Sequence, residues 1–454
     1  MLLRKNTAPG LAHNSYFIGS GAEAVVIDPR RDIDIYLSLA LEHQMEIKWI
    51  IESHKHEDFV SGAQELSESS GAPVFHGHNP DFRYGNLVYD GDTFHTGSLE
   101  MSVMETPGHT PESISVVLRD RDVSEDPLMV FTGDTLFAGD AGRTDFYGED
   151  RRTELSTLLY ESIGRIISLG DGVIICPAHG AGSVCGTAIA DLEYTTVGYE
   201  KSNNPLLSLS KEEFVRVKSE EKHYYPPYFR QMEIFNTEGA PVIGSLPALR
   251  ACTPGEVRKL IIEGAKCLDI RSPEAFAGGH IPGSLNIWRD GIPVVAGWML
   301  DYESLIVLID DFNRDLSTVT RNFARLGYDN IYAYLAGGFT SWTTSGMTVS
   351  RSGIWSAEEA YRSLGDDTLF ILDVRTQSNR EAYGYIPGSH HIYLGELPGR
   401  RDEVPSDRPV LVYCDAGRKA GVAVSLLRIH GYGEVYNLTG GMAAWLKGGY
   451  PVRR

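Results

Sequence analysis

The sequence predicts an α/β protein made of three domains, and three observations support this prediction. The length of 454 residues corresponds to about three domains of ordinary size. Short β-branched runs alternate with segments of helical periodicity along the chain, as in folds that cover sheets with helices. Several motifs in the second half recur at offsets of 103 to 105 residues. Since solenoid repeats are only about 20 to 50 residues long, this offset indicates a duplicated domain.

Composition and charge narrow the classes of function. The formal net charge of −20 repels a phosphate backbone, which argues against a nucleic-acid partner. The first residues lack an apolar segment and no apolar run reaches 18 residues, so no membrane association is expected. Five cysteines without C-x-x-C spacing suit a reducing compartment. We therefore expect a soluble cytoplasmic protein, and we expect it to form a homo-oligomer.

Hydrophobic periodicity places the elements of the first half of the chain. Two strands are predicted within residues 11–28, on either side of a Gly-Ser-Gly turn. The other predicted elements are strands at 47–52 and 173–176 and helices at 33–43, 61–70, 153–169 and 211–220. Residues 239–254 are rich in Gly, Pro, Ala and Leu and show little periodicity, which is typical of a linker.

The stretch after the predicted strand 47–52 carries the first candidate metal ligands. His54, His56 and Asp58 follow that strand at a spacing of two. Because alternate side chains of extended backbone point the same way, we expect the three to share a face. The alternative interpretation is a polar loop with ordinary surface histidines. Two imidazoles and a carboxylate in this pattern favour a metal site.

Four ordered motifs resemble those of the metallo-β-lactamase fold. Its H-x-H-x-D-H signature begins at residue 54, with Phe59 in place of the last histidine. Its later ligand loops are matched by TPGHT at 106–110, FTGDT at 131–135 and PAHG at 177–180. The resemblance implies an αββα sandwich over residues 1–238. It also implies three metal ligands, which are His54, His109 and Asp134.

The same resemblance predicts the number of metal ions. Dinuclear zinc hydrolases of that superfamily build a second site from the equivalents of Asp58, residue 59 and His179. Phenylalanine offers no lone pair, so we expect one metal ion per chain, with Asp58 and His179 left to orient ligands or to bind substrate. Two imidazoles and one carboxylate suit iron(II) with open positions for substrate and dioxygen. Zinc accepts the same ligands plus a water, so ligand type alone leaves the metal open.

Residues 142–146, GRTDF, are similar to the arginine-containing stretch of persulfide dioxygenases, iron enzymes that oxidise a thiol persulfide to sulfite. The resemblance implies that Arg143 binds substrate, because a fixed guanidinium attracts an anionic, thiol-bearing molecule. The alternative is an ion pair with Asp140 or Asp145 that only fixes the loop.

The duplicated motifs resemble those of rhodanese domains, small α/β folds with a parallel central sheet. CLDIR at 267–271 matches ILDVR at 371–375, and GHIPGS at 279–284 matches GYIPGS at 384–389. A Gly-Gly pair followed by Trp342 matches a Gly-Gly pair followed by Trp445. The resemblance implies one domain at 239–350 and another at 351–454.

In the second copy, a predicted strand at 410–413 leads into Cys414 and then into a helix predicted at 421–430. The resemblance makes this the loop whose cysteine carries sulfur. Backbone N–H groups of a tight loop, a helix N-terminus and the cations Arg418 and Lys419 are all expected to favour its thiolate form.

In the first copy, Asp310 stands at the position of Cys414. A carboxylate cannot carry a sulfane sulfur, so this copy is predicted to be inactive. The other four cysteines are interpreted as core residues, although the surroundings of Cys185 and Cys252 look exposed; they are Cys176, Cys185, Cys252 and Cys267.

Together the resemblances imply iron-dependent oxidation of a low-molecular-weight thiol persulfide to sulfite. They also imply sulfur transfer at Cys414, between persulfide and sulfite on one side and thiol and thiosulfate on the other. Thiol persulfide, dioxygen, sulfite and thiosulfate are then the small-molecule partners. Two alternatives remain, a zinc-dependent thioester hydrolase and a sulfur-carrier or docking protein.

Overall fold

The computed structural model describes residues 1–79 and 81–454. Contacts between residues divide the chain into two compact units. The first comprises residues 1–246 and the short segment 324–327, and the second comprises residues 247–323 and 328–454.

The first unit contains two six-stranded sheets. The strands of the first sheet, which follow one another in sequence order, are β1 (Leu2–Ala8), β2 (His13–Ser20), β3 (Glu23–Ile27), β4 (Glu46–Glu52), β5 (Val74–Gly77) and β6 (Asn86–Val88). Strands β1 to β3 pair antiparallel, and β3 to β6 pair parallel. Strand β4 lies in the parallel part of this sheet, and the loop that follows its carboxyl end enters the candidate site.

The second sheet is mostly antiparallel, with one parallel pair between its fourth and fifth strands. Its strands are β7 (Thr93–Thr96), β8 (Leu99–Glu105), β9 (Ile114–Asp120), β10 (Met129–Gly133), β11 (Ile174–Pro177) and β12 (Thr195–Thr196). The helices of this unit are α1 (Asp34–Glu42), α2 (Ala63–Ser70), α3 (Glu149–Ile167), α4 (Val197–Asn203), α5 (Lys211–Glu220) and α6 (Phe229–Glu238).

Three buried clusters show how these elements are layered. One cluster lies between the two sheets and includes Val25, Met101 and Phe131. A second joins the outer face of the first sheet to α1 and α2, and a third joins the outer face of the second sheet to α3 and α5. Apolar side chains therefore leave water on both faces of both sheets, which stabilises a helix–sheet–sheet–helix sandwich. The predicted αββα architecture is confirmed.

The second unit contains two five-stranded sheets, each parallel throughout. The first is built from β13 (Arg250–Cys252), β14 (Lys266–Asp269), β15 (Leu285–Asn286), β16 (Ile306–Ile309) and β17 (Ile331–Leu335), in the order β13-β17-β16-β14-β15. Its helices are α7 (Pro254–Ile262), α8 (Pro273–Gly278), α9 (Ile292–Met299), α10 (Leu316–Arg325) and α11 (Gly338–Thr344).

The second parallel sheet repeats this order. Its strands, in the order β18-β22-β21-β19-β20, are β18 (Gly353–Trp355), β19 (Phe370–Asp373), β20 (His390–His391), β21 (Val410–Tyr413) and β22 (Val435–Leu438). Its helices are α12 (Ala357–Arg362), α13 (Gln377–Tyr383), α14 (Leu397–Arg400), α15 (Arg418–Ile429) and α16 (Gly441–Lys447). The predicted pair of α/β domains with parallel sheets is thus confirmed.

One element differs from its prediction in a way that affects the cysteine loop. The helix expected at 421–430 begins at Arg418, because Gly417 adopts a left-handed conformation with φ of 87° and starts the helix there. Arg418 and Lys419 therefore belong to the first turn of α15. Among the described residues, no helix is long and apolar enough to cross a membrane.

Candidate metal centre and cysteine loop

The loop after β4 delivers the first candidate ligand into a buried pocket. The backbone N–H of Ser53 donates to Oδ1 of Asp28 at 2.6 Å, which fixes the turn, and Ser53 Oγ lies in hydrogen-bond contact with Nδ1 of His54 at 2.8 Å. The ring is thereby held by its Nδ1, and its Nε2 faces Asp134. Gly133 permits this packing, since a Cβ there would lie 2.6 Å from Ser53 Oγ.

Two imidazoles converge on one carboxylate oxygen. Oδ2 of Asp134 lies 3.8 Å from Nε2 of His54 and 3.5 Å from Nε2 of His109. Nδ1 of His109 donates to the carbonyl of Arg143 at 2.9 Å, which fixes the ring with its Nε2 towards Asp134. All three side chains are buried, and neither Nε2 has a hydrogen-bond partner among the described residues. Two imidazole nitrogens that lack hydrogen-bond partners and lie this close to one carboxylate oxygen are suitably placed to bind a metal ion.

The other predicted residues lie around this group but face other partners. Nε2 of His179 lies 3.0 Å from Oδ2 of Asp58, and its Nδ1 donates to Oδ1 of Asp134 at 2.8 Å. His56 turns towards Asp28, with Nε2 3.3 Å from Oδ1. The buried ring of Phe59 packs on His56, with 4.4 Å between ring centroids. His54, His56 and Asp58 thus share one cluster without converging on one point.

Burial and the neighbouring charges together set the pKa values of these groups. Burial alone would raise the pKa of Asp134, but the three histidines around it outweigh burial and hold that pKa well below its usual value. Burial and the nearby His56 lower the pKa of His54. For His109, burial is outweighed by the carboxylates of Glu57 and Asp134, which raise its pKa. The pocket therefore favours a charged carboxylate next to a neutral His54, as a metal site requires.

The structure brings to the site two buried residues, Glu57 and Cys185, that the sequence had not assigned to it. Glu57 places a carboxylate oxygen 3.5 Å from Nε2 of His109, and burial raises the pKa of Glu57. Cys185 is 1% exposed and Cys252 is fully buried, which confirms the interpretation of both as core residues although their surroundings in the sequence look exposed. Cys185 groups with Asp58 and His179. A second acid within the ligand loop was a visible signal for Glu57, whereas no local pattern singled out Cys185.

Arg143 is buried and fully engaged. Its Nε and Nη2 donate to the two carboxylate oxygens of Asp145 at 2.6 and 2.8 Å, and its guanidinium lies 4.5 Å from the ring centroid of Phe146. This bidentate pair is the arrangement considered above as the alternative to substrate binding. The role of Arg143 in substrate binding stays a prediction.

The cysteine loop in the second unit is compact. Sγ of Cys414 accepts hydrogen bonds from the backbone N–H groups of Gly417 at 3.1 Å and of Ala420 at 3.4 Å. Strand β22 also fixes the loop, because Nδ2 of Asn437 donates to the carbonyl of Gly417 at 3.0 Å. The expected convergence of backbone N–H groups on the sulfur is therefore present.

The surroundings of Cys414 do not have the expected effect on the charge of its sulfur, because they raise the pKa of the thiol instead of lowering it. Burial raises the pKa of the Cys414 thiol and Asp415 raises it further, while the backbone N–H groups only partly offset burial. The side chain of Arg418 is exposed and that of Lys419 is only half-buried. In the resting loop, desolvation therefore outweighs the cations that were expected to favour the thiolate.

Comparisons with known proteins agree with this architecture. The family model described as Metallo-beta-lactamase superfamily matches residues 8–179, and the one described as Rhodanese-like domain matches residues 253–345 and 356–448. A mitochondrial protein of Bos taurus named persulfide dioxygenase ETHE1 is 31% identical over 230 residues, which span 48% of this chain and 80% of that protein. Hydroxyacylglutathione hydrolase GloC of Haemophilus influenzae is 26% identical over 207 residues, spanning 41% of this chain and 87% of that protein.

A solved structure extends the likeness beyond the first domain. The crystal structure of a metallo-beta-lactamase from Staphylococcus aureus is 30% identical, with a TM-score of 0.66, and the match covers 74% of this chain and 98% of that one. The chain therefore belongs to the metallo-β-lactamase superfamily, as a fusion of a domain similar to persulfide dioxygenases with two rhodanese-like domains.

Proposed function

We propose that the first domain is a persulfide dioxygenase with one iron(II) ion and that the second rhodanese-like domain is a sulfurtransferase. The observation that carries the proposal is the convergence of His54 and His109, through unbonded Nε2 atoms, on one oxygen of Asp134. Two imidazoles and one carboxylate suit iron(II) with open positions. The similarity to the bovine persulfide dioxygenase favours this choice within a superfamily that also contains hydrolases.

The proposed reaction converts a thiol persulfide R–S–SH, dioxygen and water into the thiol R–SH and sulfurous acid, which ionises to sulfite. His54, His109 and Asp134 would hold the iron, which when bound supplies the redox chemistry that lets dioxygen react with sulfur. The hydroxyl of Ser53 and the carbonyl of Arg143 fix the two imidazole rings. His179 fixes Asp134 from the other side, so the donor set is preorganised.

Aromatic rings line the pocket next to His109. The ring of Phe146 lies 5.3 Å from that of His109, and Tyr225 and Phe229 pack behind it at 6.2 and 5.9 Å between centroids. These rings exclude water and offer an apolar wall to a sulfur chain. Because Asp145 already neutralises Arg143, the proposed contribution of Arg143 to substrate binding is to hold this wall in place.

At Cys414 the proposed step is exchange of a sulfane sulfur. Thiosulfate and the Cys414 thiol give the Cys414 persulfide and sulfite, and the reverse direction makes thiosulfate from sulfite. The N–H groups of Gly417 and Ala420 already donate to Sγ, so they are placed to stabilise negative charge on the attacking sulfur.

The test is product analysis with glutathione persulfide, with and without oxygen, on the full chain carrying Cys414→Ser, so that sulfite is not converted to thiosulfate. We expect one oxygen molecule consumed and one sulfite formed per persulfide, no sulfite without oxygen, and loss of both in His54→Ala, together with iron in protein purified without added metal. Persulfide turnover without oxygen uptake would contradict the proposal. Hydrolysis of a glutathione thioester by a zinc-containing preparation would instead identify the hydrolase alternative.

A further inference from the structure

Helix α15, which starts at the cysteine loop, is covered all round over its central two turns. Every residue from Ala420 to Leu427 is buried. The helix packs against β21 and β22 of its own sheet, and it also packs against β15 and α8 of the first rhodanese-like copy. A helix segment without an exposed face needs a neighbour on each side, so the first copy supplies the cover that the helix's own sheet cannot.

Two residues four positions apart on α15 lie against the first copy, on one face of the helix. The hydroxyl of Ser425 accepts the backbone N–H of Asn286 at 3.0 Å and donates to the carbonyl of Val422 at 2.8 Å. Gly421 lies against Pro273, the first residue of α8, and a Cβ added at Gly421 would lie 2.6 Å from the Cβ of Pro273. This face of α15 is therefore fitted to the first copy.

The contact with Pro273 explains why position 421 carries glycine. Inside a helix, glycine is less favourable than alanine, because its backbone has more freedom to lose. The helical backbone at Gly421 would accept alanine, and the two atoms closer than 3.4 Å to an added Cβ both belong to Pro273. The first copy therefore decides which residue the second copy can carry at this point.

Gly421 directly follows a residue that holds the sulfur. The backbone N–H of Ala420 donates to Sγ of Cys414 at 3.4 Å, and the N–H of Gly421 closes the first turn by donating to the carbonyl of Gly417 at 3.2 Å. The contact of Ala420 with the sulfur is already long, so a shift of the first turn by a few tenths of an ångström would weaken it.

We propose that the first rhodanese-like copy positions the cysteine loop of the second by holding α15. Pro273 and Asn286 are the positioning residues, and they act through α15 on the N–H group of Ala420. The first copy thereby contributes to sulfur transfer although it has Asp310 in place of the cysteine. This inference rests on the proposed sulfurtransferase function.

The test introduces a collision across the contact in the full chain and then removes it from the other side. Gly421→Ala adds a Cβ that collides with Pro273, so the first turn has to shift. We expect thiocyanate formation from thiosulfate and cyanide to fall about tenfold or more, because a placed N–H donor is displaced from the sulfur. Adding Pro273→Gly removes both colliding atoms and should restore the rate to within about threefold of the original. An unchanged rate in Gly421→Ala, or no recovery in the double variant, overturns the inference.

Alkylation of Cys414 by iodoacetamide separates positioning from a loss of folded protein. Burial raises the pKa of the Cys414 thiol and the N–H of Ala420 counteracts it, so a weaker contact should raise that pKa further. The rate constant at pH 8, read by mass spectrometry of the modified peptide, should fall about threefold or more in Gly421→Ala and recover with Pro273→Gly. A rate constant that stays the same or rises would mean that Gly421 serves stability alone.

The matched control is Gly399→Ala. Gly399 also lies in a helix of the second copy, α14, and a Cβ added there meets no described atom within 4 Å, so both rates should stay unchanged. If circular dichroism shows that Gly421→Ala does not fold, Ser425→Ala takes its place, because it leaves the N–H of Asn286 unpaired without adding an atom. Unchanged transfer and alkylation in Ser425→Ala would then overturn the inference.

The failure of this inference can be told from the failure of the proposed function, because alkylation needs no sulfur transfer. If the original chain makes no thiocyanate but Gly421→Ala slows alkylation and Pro273→Gly restores it, the sulfurtransferase proposal fails and the positioning stands. If the original chain transfers sulfur and Gly421→Ala changes neither rate, the positioning fails and the sulfurtransferase stands.

Discussion

The two rhodanese-like copies keep the same scaffold and differ in one loop. In each, the residue after the central strand accepts a backbone hydrogen bond at 2.8 Å from the start of the last helix: Asp310 from Phe339, and Cys414 from Met442. Gly338 and Gly441 allow this approach, since both have positive φ and a Cβ would collide with the loop backbone. Position 310 therefore corresponds structurally to position 414, as the repeat predicted.

The loops then diverge in length and in the group at their centre. Four residues, 414–417, separate strand from helix in the second copy, and six, 310–315, do so in the first. Arg289 occupies the first copy's loop, with Nη2 3.1 Å from Asp310 and Nη1 donating to the carbonyls of Arg314 and Asp315. One copy surrounds a sulfur with backbone N–H groups, and the other surrounds a carboxylate with a guanidinium. The two copies thus differ in the length and the surroundings of this loop as well as in one residue.

The largest expected difference between the copies is in sulfur transfer. Cys414→Ser should lower thiocyanate formation from thiosulfate and cyanide by roughly 10³-fold or more, because the only nucleophile of the loop is gone. Asp310→Asn is the matched change in the first copy and should leave the rate unchanged. If Cys414→Ser kept a substantial fraction of the original rate, another part of the chain would have to carry the sulfur transfer.

A smaller difference is expected in how each copy tolerates loss of its buried arginine. Arg271 pairs with Asp269, and Arg375 with Asp373, through the same bidentate contacts. Breaking such a pair costs about 3–5 kcal/mol, since a charge is left buried.

The loss of stability on removing the arginine should differ between the two copies. Tyr413 donates its hydroxyl to Asp373 at 2.7 Å, whereas Ile309, which has no hydroxyl, occupies the equivalent position beside Asp269. Arg271→Met should therefore destabilise its domain more than Arg375→Met, measured by hydrogen exchange on peptides from each domain. Tyr413→Phe combined with Arg375→Met should narrow the difference, although Arg380 still lies 3.5 Å from Asp373. Equal exchange in the two single variants would contradict this reasoning.

What the sequence predicted and what it did not can be understood from these examples. His54, His109 and Asp134 were named because ordered motifs resemble those of the metallo-β-lactamase fold, and the structure brings the three side chains together. Asp310 was matched to Cys414 because a repeat carries register from one copy to the other.

Side-chain surroundings were harder to predict, because they depend on segments distant in sequence. The loop that buries Cys185 is fixed by Asp140 and Arg143, more than forty residues earlier. The pKa of Cys414 depends on how much water reaches its sulfur. The two cations next to it in the sequence led us to expect a lowered pKa, whereas burial raises it. Spacing predicts which residues meet, whereas their solvation requires the folded chain.

The solvation of Cys414 gives a prediction about pH. Since burial raises its pKa above the ordinary value of 9.0, the thiol form predominates at neutral pH. Alkylation by iodoacetamide, which needs the thiolate, should therefore accelerate about tenfold per pH unit from about pH 7 to pH 9 without a plateau. Asp415→Asn should speed alkylation at every pH, because Asp415 raises that pKa. A plateau below pH 8, read by mass spectrometry of the modified peptide, would mean that Arg418 and Lys419 outweigh burial.

The smallest expected effect is the most informative about the first copy. Asp310→Cys, made in the Cys414→Ser background, should leave sulfur transfer at background. The new thiol would lie beside Arg289, in a loop where Asn313 and Asp315 have φ of 52° and 47° and where no glycine takes the place of Gly417. A cysteine there gains a cation without the N–H groups that would stabilise sulfur. Replacing residues 310–315 by the four residues of 414–417 in the same background is the paired change, and it should give a cysteine that thiosulfate converts to a persulfide detectable by mass. If Asp310→Cys alone restored transfer, the difference between the copies would reduce to one side chain, and the rebuilt loop would have no part in it.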